Sequence, residues 1–325
     1  AKTLASPAEA RLVNAVVRKL AAALATDVAP ADDASLATLA AWYSHPEWLI
    51  ARWRKLFGTE ATAALLRWNQ APAGVQVRWR DKGNPPVLSA EGPLRATTVA
   101  GYYDVVSGHW AEVEGWLKSG TAYVQNAATR LAVELLAPQS GEAVLDLCAA
   151  PGGKSVALAD ALGDAGRLVA MDLPGPRLLR LKENLARITR VPVALVSGDI
   201  LRSGRELFAE HGLPEEYPAV LVDVPCSNTG VMRHRVDVKW RLQEGDFHKH
   251  AGQQLALLRG ASRMVAPGGR LVYSTCSLDP EENDQLVEAF RQASHGAFDL
   301  EDQLRSRPWE DGFDGAAAFR LRRVK

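Results

Sequence analysis

Cysteine is scarce in this 325-residue chain. There are three, too few for a disulfide framework. The seven histidines show no ligand spacing alongside them, so no metal centre is expected. Net charge is missing as well: 38 Lys and Arg balance 38 Asp and Glu, which excludes a broadly basic molecule and leaves room only for a local cationic patch. No apolar run is long enough to span a membrane. There is no internal repeat, and no low-complexity tract beyond an alanine-rich start. That start, with Lys2, Arg11, Arg18 and Lys19, is compositionally like a transit peptide, but Glu9 and the regular apolar spacing predict a folded helix. Residue 1 is Ala, as expected where a natural start has been removed. What is present, 47% hydrophobic and 23% charged residues, predicts a globular monomer with ample core, two or three domains and a reducing, cytoplasmic setting.

The first seventy residues read as helices. Ser6-Pro7-Ala8-Glu9 is a capping box, followed by an apolar face of Leu12, Val13, Val16, Val17 and Leu20. Ser44-His45-Pro46-Glu47 repeats the start signal before Trp48, Leu49, Trp53 and Leu56; the two tryptophans sit at helical spacing and are expected in the core. Thr59–Trp68 is a third helical stretch. Val75, Val77 and Trp79 then alternate with polar residues, as in a half-exposed strand, and turns punctuate the chain to about Gly120. From Tyr123 onward strands and helices alternate. Helices are predicted over 126–136, 154–162, 177–188, 205–211, 251–265 and 281–293. Strands are predicted over 143–147, 167–171, 193–196, 219–222 and 270–273. The pattern is that of a doubly wound, largely parallel α/β sheet, giving a helical region 1–70, a mixed α/β region 71–120 and an α/β domain 121–325.

In such a sheet, ligands gather at the carboxyl ends of the strands. The first of these strands runs into Leu147-Cys148-Ala149-Ala150-Pro151-Gly152-Gly153-Lys154-Ser155 and then a helix. Small residues there let a ligand approach the backbone, and the helix start offers free N–H groups. The spacing matches neither a dinucleotide fingerprint nor a P-loop. Asp172 ends the next strand, where a carboxylate can take two ribose hydroxyls, and Asp199 follows the one after, where it can accept from an adenine amino group. Such aspartates also cap helices. Their recurrence at successive strand ends favours a nucleoside site, but this half alone does not separate hydride from methyl transfer.

Two cysteines occupy further strand ends, in Asp223-Val224-Pro225-Cys226-Ser227-Asn228-Thr229-Gly230 and Tyr273-Ser274-Thr275-Cys276-Ser277-Leu278. These motifs, with Asp146–Lys154, Val238-Lys239-Trp240-Arg241 and Glu281-Glu282-Asn283, resemble the Sun/nucleolar-protein family of RNA cytosine-5 methyltransferases. Upstream, Ser44–Leu49 and Phe57-Gly58 are more weakly similar to its bacterial ribosomal-RNA members. The resemblance implies a Rossmann-like catalytic domain preceded by RNA-binding regions, S-adenosyl-L-methionine as cofactor, and RNA, ribosomal in the bacterial members, as substrate. Carbon 5 of cytosine is a poor nucleophile, and a thiolate adding to carbon 6 makes it an enamine that accepts a methyl group. The resemblance gives that attack to Cys276, ring contacts to Asp223, release to Cys226 and a place beside both cofactor and Asp223 to Lys154. It implies a cofactor site of Cys148, Ala149, Ala150, Pro151, Gly152, Gly153, Lys154, Asp172, Arg177, Asp199 and Asp223. Cys148 itself reads as a small buried hydrophobe.

RNA contact is expected from Arg233, His234, Arg235, Lys239 and Arg241, extended by Arg52, Arg54, Lys55, Arg78, Arg80 and Lys82; each cluster reads equally well as a solvated face. Two departures flank the site: Asn228 stands where the family usually has glycine, and Val236 where it usually has proline. The helical region is also short for bacterial members. A DNA cytosine-5 enzyme would continue its Pro-Cys motif differently and needs no second cysteine. An adenine amino-methylating enzyme would place an aromatic after Asp/Asn-Pro-Pro. An idle RNA-binding factor has no reason to keep both thiols.

Overall fold

The computed structural model describes residues 6–24, 27–186 and 191–325. The chain separates into two compact units between Ala63 and Ala64. The first holds α1 (Pro7–Leu24), α2 (Leu36–Tyr43), α3 (Glu47–Phe57) and the start of α4 (Thr59–Gln70). The expected capping box starts α1: Ser6 N donates to Glu9 Oε2 at 2.8 Å, and Glu9 N donates back to Ser6 Oγ. Its apolar face, Leu12 to Leu20, is exposed. The second start signal does not form. Ser44 closes α2 in a left-handed conformation (φ 53°), and Pro46 precedes α3 without any side-chain cap. The helix that the sequence reading passed over, α2, is capped by Ser35 through Thr38 N. Trp53 is fully buried, edge-on to the buried His45 ring, while Trp48 is half-buried. Arg54, expected on a phosphate track, donates instead to the carbonyls of Asp32 and Ala34.

After the rest of α4, the second unit has a four-stranded antiparallel sheet, order β2-β3-β1-β4. It comprises β1 (Gln76–Trp79), β2 (Leu94–Ala96), β3 (Tyr102–Val105) and β4 (Ala122–Val124), with α5 (Trp110–Ser119) before the last strand. Val77, Leu94, Val113 and Ala122 make its core. Arg78 and Arg80 do not face solvent: both pair with Asp160 at 2.8 Å, and Arg78 also donates to Gln125, whose amide donates to the Gly153 carbonyl. Cations expected to contact phosphates thus tie this small sheet to the helix that carries Asp160.

The rest is one seven-stranded sheet and its helices. In chain order these are α6 (Arg130–Leu136), β5 (Ala143–Leu147), α7 (Gly153–Leu162), β6 (Arg167–Asp172), α8 (Pro176–Leu185), β7 (Val193–Ser197), α9 (Ile200–Glu210), β8 (Tyr217–Asp223), α10 (Val238–Arg241), α11 (Asp246–Ser262), β9 (Val265–Thr275), α12 (Asp284–Ala293), β10 (Phe298–Ser306), α13 (Pro308–Asp311) and β11 (Ala316–Arg323). The strand order is β10-β11-β9-β8-β5-β6-β7, with β5 to β9 parallel and β10 and β11 antiparallel additions. The doubly wound, mostly parallel sheet is therefore present. All five predicted strands lie within observed ones; β10 and β11 were not predicted. Several helix limits differ. A 3-10 turn (Ala127–Thr129) precedes α6, α9 starts at Ile200 and not at Arg205, α11 starts at Asp246 and gives Val265 to β9, and a 3-10 turn (Pro280–Glu282) precedes α12, while the predicted end of α8 at Ile188 lies outside the described residues.

Alternation along each strand builds two cores, one per sheet face. Leu145, Val220, Leu271 and Tyr273 pack on one side, and Val144, Leu221 and Val272 on the other. At about 1.5–3 kcal/mol per buried aliphatic side chain, these layers make the sheet a rigid platform. The order reverses between β5 and β8, which opens a crevice at their carboxyl ends. Among the described residues, no helix is long and apolar enough to cross a membrane.

Three segments meet tightly beside that crevice. Gly230 N donates to the Cys276 carbonyl at 2.9 Å and Gly315 N donates to the Gly230 carbonyl at 2.8 Å. A Cβ on Gly230 would lie 2.5 Å from the Gly315 oxygen and 2.8 Å from that of Cys276. Gly230→Ala is expected to lower stability by about 2 kcal/mol in denaturant unfolding, because only backbone can yield there.

Candidate active site

The loop from β5 to α7 is shaped by its own backbone. Cys148 adopts a left-handed conformation (φ 57°), and Gly152 (φ 109°) would bring a Cβ to 2.9 Å from Leu181. Ala150 N donates to Asp172 Oδ2 at 2.7 Å, and Arg177 donates to the Ala150 carbonyl at 2.6 Å. Asp172 and Arg177 are thus joined to the Ala149–Ala150–Pro151 turn. Asp199 caps α9 through Leu201 N, so this strand-end aspartate is a cap in the way the sequence allowed. Burial, aided by Asp172, Asp223 and Asp146, pushes the Cys148 thiol far above its ordinary value, so it stays protonated, as its reading as a small hydrophobe requires.

Asp146 differs from the other strand-end carboxylates. It is fully buried; Oδ2 accepts from Ser155 Oγ at 2.5 Å, and Oδ1 has no hydrogen-bond partner. Desolvation pushes its pKa up to about 7, opposed by the Ser155 hydrogen bond.

The other half of the site stands across the crevice. Lys154 Nζ lies 2.6 Å from Asp223 Oδ2, and Ser274 Oγ donates to Asp223 Oδ1 at 2.7 Å. Burial pulls the Lys154 pKa down. The charge and hydrogen bond of Asp223, with smaller contributions from Cys276 and Asp146, outweigh it and hold the ammonium above its ordinary range. Cys226 and Cys276, from the ends of neighbouring parallel strands, place their sulfurs 3.0 Å apart as free thiols. Hydrogen bonding to Cys276 and burial, then the charges of Cys276 and Glu282, drive the Cys226 thiol well above its ordinary pKa.

The turns carrying these thiols are bound by buried polar groups. Glu282 is fully buried and accepts from Ser227 N (2.9 Å), Ser227 Oγ, Ser277 Oγ and Gln254 Nε2 (2.8 Å). Thr229 Oγ1 donates to Asp279, and Asn283 joins Thr275 Oγ1 to the Ser277 and Asp279 carbonyls. Asn228 explains its departure from glycine. Its φ is 63°, a left-handed position that asparagine tolerates, and its side chain donates to the Cys226 carbonyl while accepting from Cys276 Sγ at 3.4 Å. An open cleft is lined by Cys276, Lys154 and Ser274, with Asn126, Thr129 and Asp314.

The basic stretch after Cys226 divides. Arg233 turns inward: its guanidinium lies 3.9 Å from the Trp68 ring centre and 4.0 Å from Asp314 Oδ1. Lys239 is buried, its Nζ donating to the Asn69 carbonyl. These two cations hold structure rather than face a ligand. His234 pairs with Asp314 at 3.1 Å, while Arg235, Trp240 and Arg241 are exposed, Arg241 lying 3.7 Å from Asp237. Sequence reading missed Gln254, Asn126, Thr129 and Asp314, which carry no motif, and assigned no role to Glu282 or Ser274 within motifs it did single out.

The family model of the 16S rRNA methyltransferase RsmB/F matches residues 133–311. A probable ribosomal RNA small subunit methyltransferase B of Bacillus subtilis (strain 168) is 32% identical over 292 residues, 83% of this chain and 60% of its own length. The ribosomal RNA small subunit methyltransferase B of Yersinia pestis bv. Antiqua (strain Angola) is 35% identical over 261 residues, covering 77% of this chain and 58% of that protein. The chain thus spans about three-fifths of the length of these relatives. The crystal structure of PH0851 superposes with a TM-score of 0.76 at 27% identity, covering 91% of this chain and 70% of that one. NSun6 from Pyrococcus horikoshii with SFG gives 0.67 at 20%, covering 86% and 98%, and shares the fold.

The raised pKa of Asp146 has a thermodynamic sign. Its folded value, about 7, lies above its unfolded value, 3.8, so its contribution to stability is complete below pH 3.8 and is lost as pH rises through 7. In unfolding measurements across that range, Asp146→Asn is expected to gain on the native protein by up to about 1.4 kcal/mol per pH unit, with no further gain above pH 7.

Proposed function

The chain belongs to the RsmB/F family of 16S rRNA methyltransferases, and from that premise we propose that it transfers a methyl group from S-adenosylmethionine to carbon 5 of a cytosine in ribosomal RNA, through a covalent Cys276–cytosine adduct. One observation carries the reading: two free thiols 3.0 Å apart at adjacent strand ends, beside the Lys154–Asp223 pair and an open cleft.

The residues present fit the cofactor. Cys148–Lys154 forms a small-residue loop at a helix start, Asp172 and Arg177 are tied to it, Asp199 stands at the next strand end, and the orphaned Asp146 Oδ1 lies beneath. When bound, S-adenosylmethionine supplies an electrophilic methyl group. The protein's own part is to make carbon 5 receptive. The Cys276 thiolate forms a bond to carbon 6, and the displaced π electrons move into the ring, where Asp223 holds the nitrogen edge and shares a proton. Lys154 favours this, since its ammonium and a negative charge at Cys276 stabilise each other. Cys226 holds its proton in the free enzyme; after methyl transfer it acts as the base, giving up that proton to solvent and taking the carbon 5 proton as a thiolate, while the C5–H electron pair re-forms the C5–C6 double bond and Cys276 leaves as a thiolate. A base within a duplex must be unstacked to reach the cleft. Arg235, Arg241 and Trp240, exposed just downstream of Cys226, are the groups placed to meet the flanking strand.

Cys276→Ala is expected to reduce methylation by roughly three orders of magnitude or more. Cys226→Ala is expected to accumulate an enzyme–RNA adduct that survives denaturing electrophoresis. A Cys226→Ala enzyme with normal turnover and no adduct contradicts the assigned roles.

A further inference from the structure

Glu282 occupies a place that the two-thiol reaction leaves without a task. Its side chain is fully buried, a setting in which a carboxylate is retained only when hydrogen bonds replace its water. The donors that do so come from three separate segments. Ser227 adjoins Cys226, Ser277 adjoins Cys276, and Gln254 comes from α11 while also donating to the Pro225 carbonyl. One carboxylate therefore grips both cysteine turns, each through the residue next to the sulfur. Its own backbone is gripped in return, because Tyr273 Oη donates to the Glu282 carbonyl at 2.6 Å.

We propose that Glu282 is a positioning residue whose carboxylate fixes both cysteine turns in one geometry and so decides which thiol attacks the ring. The proposal rests on the two-thiol reading of this site. A uniform apolar packing could hold two turns together, but it would treat both sulfurs alike. A negative charge does not. The titratable groups that act on Cys226 are Tyr273 from β9, Cys276 just beyond it and Glu282 from the turn that follows; of these, Glu282 adds a negative charge that disfavours a thiolate at Cys226. The Lys154 ammonium interacts electrostatically with Cys276. A cation thus acts on one sulfur and an anion on the other.

Glu282→Gln keeps the volume and removes the charge, and Ser277→Ala removes one tie and keeps the charge. Each variant is first checked for S-adenosylmethionine binding, which reports an intact fold. Alkylation by iodoacetamide across pH is then read at each cysteine by mass spectrometry, with kcat and KM for RNA measured alongside. Glu282→Gln is expected to alkylate Cys226 at lower pH than the native enzyme does, and to lose about tenfold or more in kcat with KM for RNA nearly unchanged. Ser277→Ala is expected to lose kcat while its Cys226 alkylation profile stays in place. An unchanged Cys226 profile in Glu282→Gln overturns the proposal, whatever the turnover. If Glu282→Gln fails to bind the cofactor, Ser227→Ala and Ser277→Ala decide: normal kcat in both overturns it, and lowered kcat with intact binding supports it. The alkylation arm needs no RNA, so its outcome stands even if the methyl-transfer reading fails.

Discussion

Two cysteines fifty positions apart can act on one ring only if the turns that carry them are held against each other, and here the holding is done by hydrogen bonds to a buried carboxylate. Cys226 and Cys276 leave the carboxyl ends of adjacent parallel strands, β8 and β9, whose ladder sets the spacing of the strand ends themselves. Beyond the ladder each turn is irregular and has backbone groups to satisfy. Glu282 accepts from the Ser227 N–H, Asn283 and Gln254 donate to the Ser277 and Pro225 carbonyls, Asp279 holds the Thr229 hydroxyl, and Gly315 donates to the Gly230 carbonyl. Everything proposed for the reaction presupposes this small polar knot on top of an apolar sheet.

The same arrangement separates three cysteines by environment rather than by residue type. Cys148, between β5 and α7, is desolvated beside carboxylates and stays a protonated thiol. Cys226 is desolvated too and hydrogen-bonds its neighbour. Cys276 is the one electrostatically coupled to Lys154 and the one that lines the open cleft. Burial and access therefore differ among the three sulfurs, and the proposed roles of Cys276 and Cys226 follow that difference.

Much of this was legible in the sequence, and the reasons are local. The buried parallel strands are short runs of Val, Leu and Ala bounded by glycine and aspartate, so β5 to β9 could be located before any coordinates, and with them the strand-end positions of Asp172, Asp199, Cys226 and Cys276. β10 and β11 could not: one is rich in charge and the other opens with three alanines, and neither pattern declares a strand. Ser44 has the composition of an N-cap, but its left-handed backbone makes it the end of α2. Among the basic residues, composition cannot tell a phosphate contact from an internal tie. Arg78 and Arg80 found Asp160, Arg233 found Trp68, and Lys239 found a carbonyl, all through partners distant in the chain. Glu282 was visible as part of a motif, yet which of two consecutive glutamates turns inward depends on a single 3-10 turn.

The central claim is that this site methylates carbon 5 of cytosine in ribosomal RNA. The most direct measurement is incubation of the purified protein with labelled S-adenosylmethionine and unmodified ribosomal RNA, followed by digestion to nucleosides. The account predicts that label appears in 5-methylcytidine. Label recovered in any other nucleoside would contradict it.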